Sequence, residues 1–134
     1  MSGVNHHLLK LVNNMGLDLV FVDIDRSGIY YAREKIIFLS TKLLDENSDF
    51  EISHELGHCI KKHEELSAYY YATNSARNKL EFEANKIAIE ILIFIWSNEY
   101  DLDKDQLNAV KFMEYYKIPW NLEGYVRESM QNYG

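Results

Sequence analysis

The chain has 134 residues, with 14 Lys+Arg against 21 Asp+Glu and a formal net charge of −7; it accommodates one domain over 1–134, and its charge disfavours direct binding to a nucleic-acid backbone. Hydrophobic residues at 47% and charged residues at 26% exclude a disordered chain. Cys59 is the single cysteine, which excludes an internal disulfide and fits a reducing, cytoplasmic compartment.

Met1 to His7 carries no cationic stretch leading into an apolar one, so no signal peptide is expected. His6 to Met15 then places Leu8, Leu9, Leu11, Val12 and Met15 at helical spacing, and Gly16 stops the pattern. Leu17 to Ile24 alternates as a strand, Asp25-Arg26-Ser27-Gly28 has turn chemistry, and Ile29 to Ala32 and Lys35 to Ser40 predict two more strands. These three are expected to form a small antiparallel meander. Ser48-Asp49-Phe50-Glu51 is a capping-box pattern opening a helix that runs from about Asp49 to Lys62 or His63, with Ile52, Leu56 and Ile60 four apart. Glu64 to Ser75 lacks a period and predicts a loop with some helical turns. Helices follow over about Ala76 to Ser97, Lys104 to Lys117, ended by Pro119, and Leu122 to Gln131. The apolar run Ile87 to Trp96 holds Glu90 and is too short to span a bilayer. The sum is an α+β domain dominated by helices, its small N-terminal sheet packed on the helix that begins near Asp49.

That helix carries His54-Glu55-Leu56-Gly57-His58, an H-E-x-x-H sequence. Histidines at i and i+4 share a helix face and reach one metal ion, while the intervening glutamate, about 100° round the helix, reaches a metal-bound water instead. Two histidines do not complete a catalytic zinc site. The extension H-E-x-x-H-x-x-G-x-x-H needs glycine at 61 and histidine at 64, where the chain has Lys61 and Glu64. His63 suits a helix C-terminus, and His6 and His7 suit solvent. The third ligand is therefore sought in Glu81-Phe82-Glu83-Ala84-Asn85. At about 100° per residue Glu81 shares a face with Ala84, Asn85, Ala88, Leu92 and Ile95, whereas Glu83 falls with Lys86 and Glu90. Glu81 is the expected ligand and Glu83 the fallback.

Asn85, one turn beyond Glu81, is placed to accept the non-ligating N–H of a ligand histidine, or else simply to pack between helices. Glu55 is the expected general base in hydrolysis of an amide bond. Gly57 costs the helix about 1 kcal/mol relative to alanine, which points to a close approach there. Tyr69, Tyr70 and Tyr71 are weak candidates for an oxyanion donor, packing being the simpler account. Cys59 reads as a buried residue.

Ile52-Ser53-His54-Glu55-Leu56-Gly57-His58 and Glu81-Phe82-Glu83-Ala84-Asn85-Lys86-Ile87-Ala88 together resemble the ImmA/IrrE family of zinc metallopeptidases, over roughly residues 17 to 130. The resemblance implies a zincin-like fold, Zn2+ held by two histidines and a glutamate, and a role in phage, mobile-element or stress regulation. It also implies a protein substrate, a helix-turn-helix repressor whose cleavage relieves repression. A net charge of −7 is compatible with a basic DNA-binding partner. Where the family often has a Leu-Leu-Met-Pro-like stretch, this chain continues as Ile91-Leu92-Ile93-Phe94-Ile95-Trp96 without proline. The alternative is a zinc-binding module that holds a repressor or toxin–antitoxin partner without cutting it; the intact Glu55 weighs against that, because a structural site needs no general base.

Overall fold

The computed structural model describes residues 4–62 and 73–133; His63, most of the expected loop 64–75, and Tyr69, Tyr70 and Tyr71 lie outside them. The chain opens with helix α1 (His6–Asn14), whose N-cap Asn5 accepts from the backbone N–H groups of His7 and Leu8. Leu8 and Val12, one turn apart, are buried. Gly16, at φ 73°, adopts the left-handed conformation that closes the helix. Gly16 N then donates to Asn13 O and Leu17 N to Val12 O, satisfying carbonyls the helix end would strand.

Strands β1 (Asp18–Val22), β2 (Gly28–Tyr31) and β3 (Ile36–Ser40) form one sheet of order β1-β3-β2. β2 and β3 are antiparallel, but β1 runs parallel to β3, with Leu19 opposite Ile37 and Phe21 opposite Leu39. This corrects the expected meander: the sheet is mixed, and β2 is an edge. The most apolar segment takes the middle, where Ile37 and Leu39 are fully buried, while β1 and β2, richer in polar or exposed positions, flank it. The α+β class itself is borne out.

Helix α2 (Asp49–Ile60) lies against β2 and β3. Its start differs from the expected capping box. Ser48, at φ −97° and ψ 3°, is not extended and makes no side-chain cap bond. Asn47 Oδ1 accepts from Asp49 N instead, and the buried Asp49 carboxylate accepts from Asn5 N, tying α1 to α2. Helix α3 (Asn74–Glu99) starts on Thr73, whose Oγ1 accepts from Ala76 N. Helix α4 (Ala109–Tyr116) is shorter than expected: Lys104–Gln106 is a separate 3-10 turn, and Asn108 caps α4 by accepting from Lys111 N. Helix α5 (Glu123–Gln131) closes the domain.

The α2–α3 pair divides two cores. On one side Leu8, Val12, Ile37, Leu39, Ile52 and Leu56 join α1 and the sheet to α2; on the other Leu92, Ile93, Phe112, Met113 and Val126 join α3 to α4 and α5. The apolar run of α3 feeds both, through Ile95 to the first and Trp96 to the second. Phe94 is 61% exposed beside Leu11 and Ile91 in a groove between α1 and α3. Among the described residues no helix is long and apolar enough to cross a membrane.

Candidate metal centre

α2 and α3 cross at backbone contact. A Cβ on Gly57 would stand 2.6 Å from Ala84 O and 2.8 Å from Ala84 Cα, so only glycine permits this approach. Ser53, one turn before Gly57, is fully buried, and Ala84 and Ala88 are the small buried residues of α3. The crossing brings the chemistry-bearing residues of both helices together. His54 Nε2 lies 2.8 Å from Glu81 Oε2, and His58 Nε2 lies 3.2 Å from the same oxygen. The two Nε2 atoms are 3.2 Å apart. On the far side of the first ring, His54 Nδ1 is 2.7 Å from Asn85 Oδ1. Because that oxygen only accepts, Nδ1 carries the hydrogen, and the lone pair of the neutral ring sits on Nε2, toward His58 and Glu81.

Glu55 is 5% exposed and stands back from this group, its Oε2 4.0 Å from His54 Nε2. One ligand atom each from His54, Glu55 and His58 lies within 4.8 Å of the others, but Glu81 approaches the imidazoles more closely. Sequence spacing therefore anticipates which residues meet: His54, His58, Glu81 and Asn85, with Glu55 beside them. Glu83 lines a different groove on α3 with Phe82, Lys86 and Tyr125. His6 and His7 are exposed and pack ring to ring. Cys59 is half-buried at the edge of the sheet-side core, less enclosed than expected, because it follows the last fully buried turn of α2.

The electrostatics describe a site built around a cation. Burial works against a charge on His54, but hydrogen bonding to Glu81 and the charges of Glu55, Glu81 and Glu51 prevail and raise its pKa to about 9. In the absence of a metal, a proton neutralises the carboxylates. Burial pushes the Glu55 carboxyl up to about 8, against the pull of His54 and aided by the neighbouring Glu51 carboxylate. Glu51 was not singled out from the sequence. Its signal is the i, i+4 spacing to Glu55, which looks like any acidic helix face until β2 is seen to cover it.

The separations test what the group accommodates. Tetrahedral ligands about 2.0–2.1 Å from one ion stand about 3.3 Å from each other. The three distances among His54 Nε2, His58 Nε2 and Glu81 Oε2 are 2.8, 3.2 and 3.2 Å, so a small outward shift admits a divalent cation. Two imidazoles and a carboxylate are also a donor set that such an ion takes.

The model of one protein family, described as the IrrE N-terminal-like domain (Peptidase_M78), matches residues 12–119, most of the chain. No curated protein and no solved structure matches it.

Proposed function

Because the chain belongs to the IrrE N-terminal-like family of peptidases, Peptidase_M78, we propose that it is a zinc-dependent endopeptidase whose ligands are His54, His58 and Glu81. The observation that carries this reading is the convergence of two imidazole nitrogens and one carboxylate oxygen within 3.2 Å of each other. Their chemistry and spacing suit zinc, which when bound would supply a Lewis acid that polarises a peptide carbonyl and acidifies a water. Asn85 holds the His54 ring in the tautomer that presents Nε2.

Glu55 is the general base and then the general acid. Buried beside the histidines but not among the three closest atoms, it takes a proton from the attacking water and delivers it to the leaving amine.

The substrate we propose is a regulatory protein, a helix-turn-helix repressor of a phage or mobile element, in a cytoplasmic setting. The support is the resemblance carried by the two motifs and the net charge of −7, which attracts a basic DNA-binding partner.

The test starts with metal content in wild type, His54→Ala, Glu81→Ala and Glu83→Ala. The expected result is about one zinc per chain, lost with His54 or Glu81 and kept with Glu83. Glu55→Gln should keep zinc and lose at least about 100-fold in cleavage of a repressor from the same genome. Protein that takes no zinc when offered it would overturn the reading. Equal repressor processing by Glu55→Gln would replace peptidase action with binding.

A further inference from the structure

Helix α3 presents to solvent a row of residues that the metal centre does not use. Phe82, Lys86, Glu90 and Phe94 follow one another at intervals of four, and all are exposed, Phe82 by 44% and Phe94 by 61%. At about 100° per residue they centre on the face opposite Glu81, Ala84 and Asn85, which meet α2. Among the described residues neither Lys86 nor Glu90 has an ion-pair partner in its own chain. Single apolar side chains on a surface are ordinary; the order of these four is not. Turned end for end and laid against itself, the row sets Phe82 on Phe94, Lys86 on Glu90, Glu90 on Lys86 and Phe94 on Phe82, symmetric about the level of Ala88. The surroundings repeat the match. Phe82 shares a groove with Tyr125, and Phe94 shares another with Leu11 and Ile91.

We propose that this row is a two-fold interface on which a second copy of the chain docks with its α3 antiparallel. A two-fold axis brings the same patch of both copies together, so the patch must complement its own reversed image. Rows at i and i+4 are also the ridges that interlock when helices cross at about −50°. The row drifts about 40° at each step, so its ends turn away from a partner, and the ends carry the long phenyl side chains. Each ring then enters the apolar groove beside its counterpart on the other copy. The central charges select the direction: a parallel pairing in register would set Lys86 on Lys86 and Glu90 on Glu90. The contact lies on the side of α3 turned away from His54, His58 and Glu81, and the inference does not depend on the peptidase reading.

Sedimentation velocity of the full chain in about 0.15 M salt tests this. Wild type should pass from monomer toward dimer between about 10 and 500 μM, the range of a small, transient interface. Phe94→Ala should weaken association at least about tenfold. Lys86→Glu and Glu90→Lys should each do the same alone, because each makes the central charges alike. Mixed one to one, those two variants should form a heterodimer within about threefold of the wild-type affinity, since every charge of one then faces its opposite on the other. All four positions are exposed, so the far-ultraviolet spectrum and zinc content should not change. A wild type that stays monomeric throughout would overturn the proposal and leave the row to a different partner or to none. A dimer indifferent to Lys86→Glu and Phe94→Ala would place the interface elsewhere. Failure of the two charge variants to pair would rule out the antiparallel register.

Discussion

Asn85 makes one contact on which a ring orientation depends. Its Oδ1, 2.7 Å from His54 Nδ1, decides which nitrogen of the imidazole carries the hydrogen and which faces Glu81. Asn85→Ala removes that acceptor from a mostly buried ring and frees the other tautomer. We expect zinc affinity to fall about 10–100-fold with the fold intact, as a competition titration with a chelator and a far-ultraviolet spectrum would establish. Unchanged affinity would mean that packing alone orients His54. At this scale the sequence was legible, because i, i+3 and i+4 spacings on two helices place residues without knowledge of the partner. Glu81 and Glu83 were separable for that reason. The packing of Glu51 against Gly28 was not, because Gly28 belongs to a strand that helical periodicity knows nothing about.

The α2–α3 crossing is a property of elements, set by small residues rather than by large apolar ones. Gly57→Ala would improve helix propensity by about 1 kcal/mol, but it drives a methyl group to 2.6 Å from the Ala84 carbonyl oxygen. Backbone cannot rotate aside as a side chain does, so the helices must separate. We expect a net loss of about 2–3 kcal/mol in urea unfolding of the metal-free protein. Zinc affinity should fall at least about tenfold, as Glu81 moves away from both histidines. A stabilised variant with full affinity would contradict this account. The sequence flagged Gly57 as a close approach but could not say to what. It was weaker still on the sheet: turn residues at Asp25 to Gly28 are compatible with a hairpin, yet strand order depends on which strand is apolar enough for the centre. Ile37 and Leu39 decide that in favour of β3. Helix starts fared similarly, since Asn47 and Asn108 cap where Ser48 and a longer α4 were expected: several residues near each boundary can cap, and tertiary contacts choose among them.

For the whole molecule, the metal-free state should be sensitive to alkali. His54 titrates at about 9 in the folded protein against 6.5 ordinarily, so its contribution is complete below 6.5 and lost as pH rises through 9. Glu55 is raised from 4.5 to about 8, and Asp49 is raised by burial, opposed by the Asn5 N–H and aided by Glu99. All three bind protons more tightly folded than unfolded, so stability falls as pH rises from about 4.5 to 9. Urea midpoints at pH 5, 7 and 9 would show the decline. A saturating metal ion displaces the proton on His54 and should flatten it. A metal-free midpoint that holds steady or rises would refute the assignment.

The strand order has a consequence for how the protein is made. The β2–β3 hairpin closes a short loop through Ala32 to Lys35, whereas β1 must wait for β3, the strand after next, before it has a partner. Loop-closure entropy therefore favours the hairpin as the earlier event, with β1 and α1 docking onto it afterwards. α2 rests on that same hairpin, through Gly28 and Glu51, while its second ligand-bearing partner, α3, joins from the other side. The proposed ligands come from α2 and α3, which are neighbours in the chain, so their crossing can close before β1 and α1 dock, and metal capture during refolding should report that crossing rather than completion of the sheet.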